Sequence, residues 1–176
     1  MIRLPLALAV VVLVLPGPSE ARPGADRSGR VLAQPPAVAY APPVTPLRVV
    51  RGFVAPTSRW GPGHRGVDLA TGPGDPVRAA AAGTVSFAGR VAGRGVVVVA
   101  HADGVRTEYE PVTPLVRAGA AVLRGQAIGR VGGTHGACAP GRCVHWGARR
   151  GDAYFDPLAL LRPLGPVRLL PWADRP

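Results

Sequence analysis

An all-β fold, a small antiparallel core of sandwich or barrel type, is what this sequence predicts, and three observations predict it. Short runs rich in Val, Thr and Ile recur between Asp75 and Gly132, separated by Gly-containing turn signals about every 8–12 residues. An Asp-Gly pair at Asp103-Gly104 sits between two such runs, the strongest short hairpin signal. Helix signals are weak throughout. Ala79–Ala82 has helical propensity but is bracketed by Pro76 and Gly83.

The elements follow in chain order. Asp75–Ala79 leads into a strand over Gly83–Gly89, and Arg94-Gly95 opens a run over Val96–Ala100. The turn His101–Gly104 then reverses the chain into Val105–Tyr109, whose apolar and polar residues alternate with the period of a strand. Val112–Val116 runs to a bend at Gly119, and Gln126–Val131 is a further strand closed by Gly132-Gly133. Asp156 before Pro157 is an N-cap followed by a proline at the first helical position, so one helical turn is expected over residues 156–161.

The ends of the chain differ from this middle. Met1-Ile2-Arg3, the apolar stretch Leu4–Leu15 and the small residues Ser19 and Ala21 make a secretory signal peptide over residues 1–21, with cleavage after Ala21. Twelve residues are fewer than the roughly 20 that span a bilayer, so no transmembrane segment is expected after cleavage; an uncleaved anchor is the alternative. Residues 22–46, with six prolines among Ala, Gly and Arg, read as a linker. The folded domain is expected over residues 47–164 and a short tail over 165–176. An exported chain would be extracellular and associated with the cell wall.

The net charge of +11 comes from Arg alone, since the 21 basic residues include no Lys. Scattered Arg without interleaved aromatics argues against nucleic acid and leaves wall polymers or lipid headgroups as the anionic partners. A lipoyl- or biotin-carrier barrel, which Gly-x-Val hairpins could suggest, needs a Lys and is excluded. Cys138 and Cys143 flank Ala-Pro-Gly-Arg, and in an exported protein such a pair favours a disulfide. Cys143 as a metal ligand is the competing assignment.

Two motifs carry the chemistry. Gly63-His64-Arg65-Gly66-Val67-Asp68 presents an imidazole and a carboxylate four positions apart around a flexible turn. Cys143-Val144-His145-Trp146-Gly147 supplies a second imidazole on one strand face, with Val144 and Trp146 on the other, core-facing side. Two His and one Asp are a set that Zn2+ accepts, with a fourth position for water.

These motifs, the Gly83-Thr84-Val85 strand and the stretch Gly125–Gly132 occur in one order over about residues 50–160. In that order they resemble the lysostaphin-like (LytM-type) zinc endopeptidases, which cut peptide cross-bridges in bacterial peptidoglycan. The resemblance implies a small antiparallel β core, Zn2+ bound by His64, Asp68 and His145, and peptidoglycan stem or cross-bridge peptides as substrate. It also exposes two departures. Cys143 stands where the family has a water-activating histidine, and Pro111, in Tyr109-Glu110-Pro111-Val112, where it has another. His135 and Glu110 are the candidate replacements, and His101 is discounted. Arg65 and Arg142 are candidates for steering anionic peptides, and Tyr109 is assigned to packing. Two functions follow from this: a wall-peptide hydrolase, or a zinc-retaining but catalytically weak module that binds the wall or regulates another wall hydrolase. Thiol titration of the unfolded chain is expected to find none; two reactive thiols would refute the Cys138–Cys143 bond.

Overall fold

The computed structural model describes residues 38–133 and 142–161. Eleven strands and one 3-10 turn occupy them: β1 Val49–Arg51, β2 Gly66–Ala70, β3 Pro76–Arg78, β4 Gly83–Val91, β5 Arg94–Ala100, β6 Val105–Glu110, β7 Val112–Pro114, β8 Ala121–Val122, β9 Ala127–Val131, β10 Cys143–Arg150, β11 Ala153–Phe155 and η1 Pro157–Leu161. The larger sheet runs β1-β2-β10-β6-β5-β4-β8, with β11 paired to β10, and β3-β9-β7 make a second sheet. Every pairing is antiparallel. The expected all-β class is thus the observed one, and η1 begins as expected: Asp156 Oδ1 accepts from the Leu158 N–H at 2.9 Å.

Alternation along the strands decides which side is core. In β10, Val144, Trp146 and Ala148 are fully buried, the first two in one cluster with Val67 and Leu69 of β2 and Tyr109 of β6. Removing an indole from water stabilises this packing by on the order of 4–5 kcal/mol, an upper figure because the unfolded chain already shields some of it. The same alternation sends Cys143, His145 and Gly147 to the opposite face. The Ala79–Ala82 stretch forms no helix. Ala79, Ala80 and Ala81 are instead wholly buried, fixed by backbone bonds to Gln126, Ala41 and Gly125.

The packed structure begins before Leu47. Residues 38–46 were expected to be linker, yet Val44 is buried in the core, the Arg78 N–H donates to the Pro43 carbonyl at 2.8 Å, and the Ala41 N–H to that of Ala80 at 2.7 Å. Composition misleads here because proline-rich chain favours an extended conformation, which can lie along a sheet as readily as cross solvent. Tyr40 completes the seam: its ring meets His101 edge-on at 5.2 Å and its hydroxyl donates to the Asp103 carboxylate at 3.0 Å. The expected signal peptide, residues 22–37 of the expected linker, His135, Cys138 and the expected tail lie outside the described residues.

A buried polar chain ties the core to the hairpin. The Ala80 N–H donates to Tyr109 Oη at 2.9 Å, Tyr109 Oη lies 2.8 Å from Thr107 Oγ1, and Thr107 Oγ1 lies 2.8 Å from His101 Nε2. His101 Nδ1 lies 2.9 Å from the Ala82 carbonyl. A carbonyl only accepts, so Nδ1 carries the proton and Nε2 of the neutral ring accepts from Thr107, which in turn accepts from Tyr109. All members are satisfied, the condition under which a buried network stabilises. Burial pushes the Tyr109 hydroxyl up to about 12 and holds His101 below its ordinary 6.5, against the opposing pull of the Ala82 carbonyl and Asp103.

The sign of the pH effect follows. As pH falls below 6.5, the unfolded chain takes up a proton that folded His101 resists, so stability declines until the lowered folded pKa is passed. Urea unfolding of the metal-free chain at pH 7.5 and 5.5 should show a smaller acid loss for His101→Gln than for the wild type. Equal losses would contradict the assignment.

Candidate metal centre

Strand register builds the centre. His145 of β10 is directly opposite Asp68 of β2 on one side and Glu110 of β6 on the other. Directly opposed residues share a face, with Cβ atoms roughly 5 Å apart. His64 precedes β2 and is fixed by an isolated bridge to Val54, the Val54 N–H donating to the His64 carbonyl at 3.0 Å and the His64 N–H returning at 2.8 Å. The sequence reading treats Gly63–Asp68 as a turn; pairing with β10 draws Gly66–Ala70 into a strand instead. Asp68 thereby sits on a rigid element.

Three donor atoms meet. His64 Nε2 lies 3.0 Å from Asp68 Oδ1 and 3.0 Å from His145 Nδ1, and His145 Nδ1 lies 2.9 Å from Asp68 Oδ1. All three residues are buried. His64 Nδ1 lies 2.6 Å from the Gly52 carbonyl, so that nitrogen holds the proton and Nε2 turns a lone pair to the centre. Orienting a ligand histidine through its other ring nitrogen is the usual support of a metal site.

These residues fit a zinc ion. Tetrahedral coordination with bonds of ~2.0–2.1 Å places ligand atoms ~3.3 Å apart, close to the spacing found here. An anionic oxygen and imidazole nitrogens converging in a buried place are a donor set that a divalent cation would hold together.

Gly66 is required at this point. A Cβ there would stand 2.7 Å from His145 Nε2 and closer still to the Trp146 carbonyl. The sequence predicts a flexible turn at Gly66; the constraint there is the close approach of β2 to β10.

The face that carries His145 borders a cleft of about 330 Å3, whose floor includes Phe87, Val96 and Val98 and whose rim includes Glu108, Glu110 and Arg65. Glu108 is committed: Arg149 donates to it at 2.7 Å and the Tyr154 hydroxyl at 3.0 Å. Burial and Glu108 push that hydroxyl up to about 12, and the contact raises Arg149. Glu110 accepts from Arg94 Nε at 3.3 Å. Sequence reasoning missed this support from Arg94, Arg149 and Tyr154, because partners 16, 41 and 46 residues away carry no local signal.

The other expected residues distribute as follows. Tyr109 is on the core side, consistent with packing. Cys143 is buried two residues before His145 on the same strand face, and Pro111 is buried just beyond β6. Arg65 is half-buried on the cleft, and Arg142 is exposed. No described helix is long and apolar enough to cross a membrane.

With the β core and the three-donor centre in place, comparison with known proteins agrees with both. The model of peptidase family M23 matches residues 62–157, more than half of the chain. The chain belongs to peptidase family M23, the family of the LytM-type enzymes it resembles. An uncharacterized protein of Mycobacterium tuberculosis is 44% identical over 176 aligned residues, covering 97% of this chain and 66% of that protein. The chain thus spans just under two thirds of that relative's length. The DD-carboxypeptidase/endopeptidase Mpg of Neisseria meningitidis is 37% identical over 101 residues, 57% of this chain and 23% of Mpg. The catalytic domain of lysostaphin from Staphylococcus simulans superposes with a TM-score of 0.55 at 27% identity, over 65% of this chain and 92% of that domain. Family M23 consists of zinc metallopeptidases that act on peptidoglycan.

The metal count of the purified chain tests the centre. Zinc should be near one per chain in the wild type and lost in His145→Ala. Gly66→Ala should weaken zinc binding by at least ~10-fold, the scale seen when the surroundings of a ligand are disturbed. Unchanged zinc affinity in Gly66→Ala would contradict the close-approach argument.

Proposed function

We propose that this chain is an exported zinc-dependent endopeptidase that hydrolyses peptide bonds in the stem or cross-bridge peptides of peptidoglycan. The observation that carries the proposal is the convergence of His64 Nε2, Asp68 Oδ1 and His145 Nδ1 at about 3 Å beside an open cleft. His64, Asp68 and His145 would hold the ion, and His145 also lines the cleft. A zinc ion in such a site supplies a Lewis acid for the scissile carbonyl and lowers the pKa of bound water toward ~7.

The chain's own residues supply the rest. The Gly52 carbonyl keeps the His64 ring turned inward. Glu110, in register with His145 and steadied by Arg94, is the carboxylate on this face that takes the proton-handling role vacated at Pro111. His135 is the second candidate for that role. The apolar floor of Phe87, Val96 and Val98 excludes water from one side of a bound peptide. The secretory signal read at residues 1–21 supports an extracellular, wall-associated location, and the disulfide expected between Cys138 and Cys143 would fit that compartment.

A second reading is favoured by Pro111 and Cys143, which occupy the positions of two proton-handling histidines. In it the chain keeps zinc, binds the wall and regulates another wall hydrolase, with little turnover of its own. One well-placed general acid or base contributes about 10²–10⁴-fold, so losing both without replacement would leave a binding module.

Incubating the zinc-loaded chain with purified peptidoglycan and assaying new amino termini separates the two. Hydrolysis is expected. Glu110→Gln or His135→Ala, whichever residue serves as base, should lower the rate by ~10²-fold or more at unchanged zinc content. No new amino termini, with wall binding retained, would replace the first reading by the second.

A further inference from the structure

Next to the cleft at His145 lies a second hollow. Arg65 and Tyr154 line both the hollow at His145 and a second one of about 730 Å3 on their far side. At the rim of the second hollow stands Trp60, 86% exposed. Trp is among the residues most buried on average, so an indole this exposed requires an account.

Trp60 is also held. Its segment is a tight turn in which the Gly61 N–H donates to the Ser58 carbonyl at 3.1 Å. Arg65 Nη2 braces the turn from below, donating to the Arg59 carbonyl at 2.8 Å and the Gly61 carbonyl at 3.3 Å. A Cβ at Gly61 would fall 2.9 Å from the Ser58 backbone nitrogen, so a larger residue would force the turn to shift. The Arg59 guanidinium lies over the indole at 5.3 Å and is paired at 3.2 Å with Asp152, in the turn between β10 and β11. One face of the ring is thus backed by a cation, and the hollow beside it is walled by guanidinium, carboxylate, hydroxyl and phenol groups.

We propose that this hollow is a glycan subsite, in which a pyranose ring of an N-acetylated polysaccharide stacks on Trp60 and is hydrogen-bonded by Arg59, Asp152 and Ser58. The proposal rests on the peptidoglycan reading and extends it: the sugar strand would be gripped beside the peptide that enters at His145. The chemistry favours a sugar over a second peptide stretch. A sugar offers one apolar face and a ring of hydroxyl and amide groups, matching a flat aromatic edged by planar polar side chains. A peptide would be read chiefly by backbone donors and acceptors of a strand edge, whereas Ser58, Arg59, Arg65, Arg149, Asp152 and Tyr154 line this hollow with polar side chains suited to hydroxyl and amide groups. Arg59, Arg65 and Arg149 against Asp152 and the neighbouring Glu108 give the hollow a small positive excess, suited to a neutral or weakly anionic saccharide. A platform fixed before binding loses little conformational entropy on contact.

The test is titration of the full chain with a β-1,4-linked N-acetylglucosamine tetramer and, separately, with a sugar-free stem peptide, followed by calorimetry and by the NMR signal of the Trp60 indole. The tetramer should shift that signal, and Trp60→Ala should weaken tetramer binding by about tenfold or more, equivalent to about 1.4 kcal/mol, while Trp60→Tyr retains part of it. Zinc content, measured in parallel, should be the same in all three chains, showing that the fold survives. A tetramer that leaves the indole unshifted, or that binds Trp60→Ala equally well, overturns the glycan subsite. A Trp60 signal that responds only to the stem peptide assigns the hollow to peptide and overturns it too. Zinc loading and wall cleavage are read independently of these titrations, so failure of the hydrolase reading would be distinguishable from failure of this one.

Discussion

The register of β10 between β2 and β6 is the constraint on which the molecule depends. It sets Trp146 into the core and His145 onto the opposite face, opposed by Asp68 and Glu110 in one row. A slip of one residue would turn the indole out of the core and the imidazole into it. Hydrophobic burial of Trp146, Val144 and Ala148 therefore specifies where the chemistry stands, even though those side chains take no part in it. Gly66 and Gly147, directly paired across the two strands, let the backbones come close enough for the row to form.

The core also explains why the centre is rigid. The hydrogen-bonded series from Ala80 through Tyr109, Thr107 and His101 to Ala82 pins β6 from behind. Tyr40 and Val44 close that side from the N-terminal segment. Glu110 is therefore presented from a strand whose other face is fully satisfied. Arg94, one strand further on, gives its carboxylate an ion-pair partner.

Much of this was legible in the sequence, for definable reasons. Period-two alternation and Asp103-Gly104 located β4, β5 and β6, because those signals are local. His64, Asp68 and His145 were legible because their spacing and flanking residues form a pattern, and the structure brings the three together as that pattern implies. The short strands β1, β8 and β11 were not, since two or three residues hold no period and owe their state to a neighbour. The packed stretch at residues 38–46 was hidden by its prolines, and the Arg65 brace by the fact that a side chain bonded to backbone carbonyls leaves no mark in composition.

The central claim is that two imidazole nitrogens and one carboxylate oxygen bind a single zinc ion, with Cys143 outside its coordination shell. X-ray absorption at the zinc edge of the loaded chain reads this directly. The account expects only nitrogen and oxygen neighbours, at ~2.0–2.1 Å, with imidazole scattering from two rings. A sulfur neighbour at ~2.3 Å would bring Cys143 into the shell, close the open position and contradict it.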